Sequence, residues 1–197
     1  EMLYSVTYNN GVSKYALRKI PYVPRVLDVS AGIGIPYSEF AVFNTDATLL
    51  ERAEAYALSG QYDKAVNDIN AELSVFTKKK TQLTLDEIVD FYGSLAYYTP
   101  TKPTPKKALN PLFTIERTTQ EPLLQCILQL RRLLTMHEGF RLQDVKRYGI
   151  TMYRRQVDVQ SNVTAVTDSM KSGDPRLAIQ LPQDVISAGV TPNPRNK

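Results

Sequence analysis

The chain has 197 residues, 43% hydrophobic, 22% charged and 9% aromatic, which is ordinary globular usage for one large domain or two small ones with a buried core. It contains no apolar run of about eighteen residues, so it writes no transmembrane helix. One cysteine excludes an intrachain disulfide scaffold and a cysteine-based zinc site, and a single histidine, His137, excludes a multi-histidine metal centre. The formal charge is +4, from 24 Lys+Arg against 20 Asp+Glu. The cations fall in small clusters: Lys78-Lys79-Lys80, Lys106-Lys107, Arg131-Arg132, Lys146-Arg147 and Arg154-Arg155. Without interleaved aromatics or a recognition motif they read as solvated surface, and no nucleic-acid partner is expected.

The opening residues carry no signal-peptide pattern. Loose alternation over Met2 to Tyr8 and Val12 to Leu17, with Asn9-Asn10-Gly11 between, predicts a small β-hairpin, because Asn-Gly supplies the positive dihedrals of a tight turn. Pro21 and Pro24 are expected to stop any strand. Asp28 to Phe43, with Gly32, Gly34 and Pro36, reads as a loop holding at most one extended piece.

From Thr45 the hydrophobic period becomes helical. Thr45 or Asn44 caps a helix to about Ser59, with Leu49, Leu50, Ala53, Tyr56 and Ala57 on one face. Gly60 ends it, and a second helix from Tyr62 carries Ala65, Val66, Ile69 and Leu73. The turn is short enough to make a helical hairpin. Thr84-Leu-Asp-Glu87 is a capping box opening a third helix to about Tyr97, with Leu85, Ile88, Tyr92 and Leu95 inward. Pro100, Pro103, Pro105 and Pro111 then dictate an extended surface connection, either a linker or a loop along the protein. Thr118-Thr-Gln-Glu121 reads as a second capping box. The helix it opens, Glu121 to about His137, has so broad an apolar face that burial on more than one side is expected. A short helix, Arg141 to Tyr148, follows Gly139. From Thr151 the chain reads as polar and irregular, with a turn at Ser172-Gly-Asp-Pro175. The fold class is therefore mainly α, with helical hairpins, long irregular loops and a small β-hairpin: 1–44 hairpin and loop, 45–150 helices, 151–197 irregular tail.

Catalytic motifs are missing. There is no glycine-rich dinucleotide fingerprint, phosphate loop, zinc-protease helix or nucleophile elbow, and Gly32-Ile-Gly34 has too few glycines to cradle phosphate. Cys126 among leucines reads as a buried inert thiol, and His137 as a cation at a helix C-terminus rather than a general base. Asp86 and Asp90, one turn apart, read as solvated, since glycosidic catalysis needs carboxylates facing across a cleft. Asn162-Val-Thr164 fits a glycosylation sequon that also arises by chance. There are 12 Tyr and no Trp. Tyr92, Tyr97 and Tyr98 gather beside the proline-rich segment, where a sugar-stacking surface competes with the plainer reading of a core Tyr92 and two rings packed under the loop. No catalytic residue, metal ligand or cofactor is assigned, and no ligand-binding residue is singled out.

The spacing Ala53-x-x-Tyr56-x-x-x-Gly60-x-Tyr62-x-x-Ala65-x-x-x-Ile69 is that of a tetratricopeptide-type unit, in which small residues let two helices approach and rings fill the groove between them. One such unit cannot bury its own face, so other helices must cover it. The longer string from Leu49 to Asn70 resembles the repeat helices of the SusD/RagB family of nutrient-binding outer-membrane lipoproteins. Arg131-Arg132 followed by Glu138-Gly139-Phe-Arg141, Asp144, Arg147, Tyr148 and Gly149 resembles that family's arginine-rich helix and the segment after it. Asp174-Pro-Arg176, Gln180-Leu-Pro182 and Asn193-Pro-Arg195 resemble its C-terminal ending. The chain departs from the family at Leu134, where a glutamate is usual, and so lacks that partner for Arg131 or Arg132.

The resemblance implies a C-terminal portion of a longer, lipid-anchored protein at the cell surface. It further implies capture of a glycan or other nutrient, handed to a TonB-dependent outer-membrane transporter resembling SusC, by binding without chemistry. Much of the family's ligand site would lie in the part ahead of this chain. Ala53, Tyr56, Gly60, Tyr62 and Ala65 would set the repeat, and Arg141, Asp144 and Arg147 would tie the late helix to neighbouring loops by charge-assisted bonds. The rival expectations are a peptide-binding repeat scaffold and an α-helical glycosidase.

Overall fold

A computed structural model of the chain describes residues 3–7, 13–17, 23–37, 43–136 and 138–195. It divides into two compact units, residues 1–44 and 45–197, and the chain is mainly α with small antiparallel hairpins. Among the described residues no helix is long and apolar enough to cross a membrane.

The first unit holds two separate ribbons. Strand β1 (Leu3–Thr7) pairs antiparallel with β2 (Ser13–Leu17), Leu3 opposite Leu17 and Thr7 opposite Ser13. The expected hairpin is therefore present, while its Asn9-Asn10-Gly11 turn lies outside the described residues. A second ribbon overturns the expectation that Pro21 and Pro24 stop any strand. Strand β3 (Val23–Asp28) includes Pro24 and pairs with β4 (Ile33–Tyr37), placing Pro24 opposite Pro36. In a two-stranded ribbon both strands are edges, so a residue with no N–H can point its missing donor outward. The Asp28 carboxylate closes the β3–β4 turn by accepting from the backbone N–H groups of Ser30 (2.8 Å) and Ala31 (3.1 Å).

The second unit is built on helices. Helix α1 (Thr45–Leu58) and α2 (Tyr62–Phe76) form the predicted antiparallel pair, with Leu50, Ala53, Ala57, Ala65, Val66, Ile69 and Leu73 buried. Gly60, at φ +75°, closes α1. The Gln61 N–H returns to the Tyr56 carbonyl (2.8 Å) and the Gly60 N–H to Ala57 (3.2 Å), a glycine-dependent stop. Arg52 clamps the two helices from outside, donating from Nε (2.9 Å) and Nη2 (2.8 Å) to the two carboxylate oxygens of Asp68. Tyr56 and Tyr62 are half-buried against the core.

Helix α3 (Leu85–Ser94) starts with the predicted capping box: the Glu87 N–H donates to Thr84 Oγ1 and the Thr84 N–H to the Glu87 carboxylate. Helix α4 (Gln120–Leu134) packs against α1, α2 and α3, and its residues from Gln120 to Leu128 are all buried, as its broad apolar face requires. Its start corrects the second capping box. Thr118 does not cap; the Glu116 carboxylate accepts from the N–H groups of Thr118, Thr119 (2.8 Å) and Gln120 (2.9 Å). An anionic carboxylate with two oxygens outcompetes a neutral hydroxyl as the acceptor for these amides, and the Glu116 carboxyl is held down at about 2 by the Thr118 hydroxyl and those amides. Gln120 itself reaches back to the last carbonyls of α1, at Ala57 (3.0 Å) and Leu58 (3.3 Å).

Helix α5 (Arg141–Arg147) follows as expected. The expectation of an irregular tail from Thr151 fails: β5 (Met152–Val157) and β6 (Val163–Met170) form a third antiparallel ribbon. Polar residues alternate with half-buried Tyr153, Arg155, Val163 and Ala165, so the period-two signal is carried partly by charged side chains and is hard to read as apolar alternation. The turn is drawn tight by Asp158, whose carboxylate accepts from Gln160, from the backbone of Asn162 (2.8 Å) and from Asn162 Nδ2 (3.0 Å); the sequon asparagine is thus part of a turn. A 3₁₀ turn (Pro175–Leu177) and α6 (Gln183–Ser187) complete the unit. Arg176 bonds Asp174, Asp168 and the Ser169 carbonyl, fastening that turn to β6.

Candidate functional site, a basic cleft above a buried ion cluster

Two neighbouring arginines of α4 meet opposite environments. Arg131 lies inside. Its Nη1 donates to Asp144 Oδ1 at 2.7 Å and its Nη2 to Glu54 Oε2, joining α4 to α5 and α1. Glu54 also accepts from Arg147 Nε (2.7 Å) and the Tyr148 hydroxyl (2.7 Å), while Asp144 accepts from Arg141 Nη1 (3.2 Å). Burial pushes the Glu54 carboxyl up, but Arg131, Tyr148 and Arg147 together hold it below the ordinary glutamate value, so it stays charged. This corrects two expectations. Although Leu134 stands where the resemblance implies a glutamate, Arg131 is ion-paired through both Nη groups to carboxylates supplied by other helices, its Nε alone finding no acceptor among the described residues. And the charge-assisted bonds of Asp144 and Arg147 run to helices α4 and α1 rather than to loops, while Arg141 bonds Asp144 within α5.

Arg132 faces outward into a cleft of about 500 Å³. Lys107 and Tyr98 from the proline-rich connection, Arg132 and Gln129 from α4, Arg141 from α5 and Arg155 from β5 line it, and no lining residue is acidic. The connection is a loop along the protein rather than a free linker. Gln125, buried in α4, accepts from the Lys107 N–H (3.0 Å) and donates to the Lys107 carbonyl (2.5 Å), while the Tyr98 N–H bonds the Lys106 carbonyl (2.7 Å). Arg155 fixes the same loop to β5, donating from Nε to the Pro100 carbonyl (2.6 Å), from Nη2 to Thr99 (2.6 Å) and from Nη1 to the Tyr98 hydroxyl (2.5 Å). Lys107 Nζ donates to the Thr104 carbonyl (2.5 Å) and sits 3.5 Å from the centre of the Tyr98 ring. Burial first, then Arg132, Arg141 and Arg155, pull the Lys107 ammonium down to about 7.

The cation clusters read as solvated therefore separate. Lys78, Lys79, Lys80, Lys146 and Arg154 are exposed. Lys106 is buried with Nζ 4.5 Å from the Tyr97 ring centre, Arg131 is ion-paired with its side chain 12% exposed, and Lys107, Arg132 and Arg155 share the cleft. Only the chain's return on itself brings these together, since they come from a loop, a helix and a strand with no common motif.

Tyr92 and Tyr98 take the plainer of the two readings, Tyr98 half-buried under the loop, whereas Tyr97 is 43% exposed. Tyr92 is core. The Tyr98 ring already has Lys107 and Arg155 against it, the latter at 4.3 Å, and tilts on Tyr153 at 5.5 Å. Tyr97 donates its hydroxyl to Glu121 (3.0 Å). These rings are engaged by cations and carboxylate rather than held open for a sugar face. Cys126 is buried and its thiol pushed up to about 12 by desolvation, which leaves no thiolate near neutral pH. Asp86 and Asp90 are exposed on α3. His137 lies outside the described residues. Among the described residues no three His, Cys, Asp or Glu side chains group as a metal site.

No protein-family model, no characterised protein and no solved structure matches the chain.

Proposed function

We propose that this chain is part of a cell-surface nutrient-binding protein of the SusD/RagB type, which captures a glycan or similar ligand and passes it to a TonB-dependent outer-membrane transporter. In this reading α1 and α2 are a tetratricopeptide-type unit, with Ala53 and Ala65 at the close approach, Tyr56 and Tyr62 in the groove, and α3 and α4 as the covering helices. A lipid anchor would lie on a portion ahead of this chain. Three blocks of residues in family order motivate the reading, and the observation that supports a binding role is the cleft: a preformed hollow that mixes apolar walls with cationic donors and holds no carboxylate. Glycosidic hydrolysis requires a carboxylic acid and a carboxylate flanking the scissile bond, which such a lining does not offer. Capture without chemistry fits it better.

The test is direct. Oligosaccharides incubated with the protein should bind in calorimetry and come back unaltered in chromatography. Released shorter sugars would replace capture with hydrolysis, and binding of peptides alone would replace it with a repeat scaffold.

A further inference from the structure

Like charges crowded in a half-buried hollow repel one another unless a counter-charge is present. In the ion cluster beneath the cleft, three guanidiniums (Arg131, Arg141, Arg147) share two carboxylates (Glu54, Asp144), leaving one formal positive charge over. Arg141 is the member of that cluster that reaches the cleft, held by a single 3.2 Å contact. Arg132 is exposed and makes no ion pair among the described residues, and the acceptors of Arg155 are all neutral. The cleft thus presents cationic donors from four elements and supplies no anion of its own.

We propose that this cleft binds the acidic group, a carboxylate or a sulfate, of a small ligand; on the capture reading above, on which the ligand's being a saccharide rests, the cargo is an acidic oligosaccharide. Size and geometry favour it. A hollow of about 500 Å³ falls within the ~300–1,000 Å³ of small-molecule sites and holds no folded partner. Guanidinium forks match the paired oxygens of carboxylates and sulfates. The cations are also braced before any ligand arrives: Arg141 by Asp144, Asp144 by Arg131, Arg155 by three loop oxygens, and the Lys107 backbone by Gln125. With the tyrosine faces already occupied, charge rather than stacking selects the ligand.

Binding should also respond to pH. Lys107 faces Arg132 from α4, Arg141 from α5 and Arg155 from β5, with the Tyr98 ring and the Thr104 carbonyl from its own loop. An entering anion favours its charged form, so the complex takes up part of a proton and tightens as pH falls from about 8 to about 6.

The experiment is calorimetry on the 197-residue chain with size-matched probes: a neutral glucan, an oligogalacturonate, a sulfated oligosaccharide, inorganic sulfate and a short single-stranded RNA. An acidic saccharide should bind roughly tenfold or more tightly than the neutral one, less so at high salt and at higher pH. Binding of the galacturonate alone assigns a carboxylate, and of the sulfated sugar alone a sulfate. Arg132→Gln should weaken binding roughly tenfold with its melting temperature unchanged. Lys107→Met should remove the pH response, and Lys79→Gln should alter neither. Equal binding of neutral and acidic sugars, indifferent to Arg132→Gln, overturns the acidic-group proposal and leaves capture standing. Inorganic sulfate binding as tightly as its saccharide overturns the saccharide cargo. No binding by any sugar, or preference for RNA, overturns both.

Discussion

Arg131 and Arg132 are chemically identical and adjacent, yet one is 12% exposed between two carboxylates and the other faces a cleft with none. One step along a helix turns a side chain by about 100°, enough here to divide a structural role from a binding one. Below α4 the cations are ion-paired to carboxylates that are themselves buried; above it they face a cleft that offers none. Removing a partner below strands a buried charge, whereas removing a cation above costs the fold little and the ligand much.

The largest effect should come from Glu54, which is 6% exposed. Glu54→Ala leaves the buried guanidinium of Arg131 with Asp144 alone and strips Arg147 and the Tyr148 hydroxyl of their acceptor, and removing one partner of a buried ion pair costs about 3–5 kcal/mol, readable in chemical denaturation. A loss below about 1 kcal/mol would mean that water reaches and screens the lower cluster. Next is Gly149, which joins Tyr148 of the buried cluster to Ile150 at the cleft. It has φ +57°, and an added Cβ would lie 2.2 Å from the Asn110 carbonyl oxygen. Gly149→Ala should therefore lose about 2–3 kcal/mol through strain and overlap and blunt ligand binding at the same time, separating it from variants that touch one region alone.

Acid sharpens the comparison differently. The Glu116 carboxyl lies at about 2 in the folded chain against an unfolded value near 4.5. The folded state thus binds fewer protons there, and its stabilisation is present above the unfolded value and lost as pH falls from about 4.5 toward 2. Glu116→Gln should flatten the stability profile across that window. A profile that keeps its slope would place the acid sensitivity in the other carboxylates held low, Asp174 and Glu54 among them. Thr84→Ala, in a capping box on α3 remote from both regions, should cost about 1 kcal/mol and leave ligand binding alone. Smallest of all, Arg132→Gln should shift stability by no more than about 0.5 kcal/mol; a larger loss would make Arg132 a structural residue like its neighbour.

What could be read along the chain was local. Helical spacing placed α1, α2 and the apolar face of α4; Thr84 and Glu87 sit three residues apart and meet in a box; Gly60 stops a helix because a left-handed residue is needed there. The misreadings are also local signals, overruled from elsewhere. Pro24 is allowed in a strand because its partner strand has no further neighbour. Thr118 fails to cap because Glu116 offers both its oxygens to the same amides. The ribbon at 152–170 hid because its inward positions include charged residues.

The amino-acid order by itself determined the helical hairpin, the long buried helix and the supply of arginines around it, since these depend on neighbours within a few turns. Only the tertiary structure decided which arginine meets a carboxylate. Glu54, Arg131, Asp144 and Arg147 come from three helices, and Lys107, Arg132 and Arg155 from a loop, a helix and a strand. Coulomb energy depends on distance in space and on the surrounding dielectric, and neither is encoded in the spacing of residues along the chain.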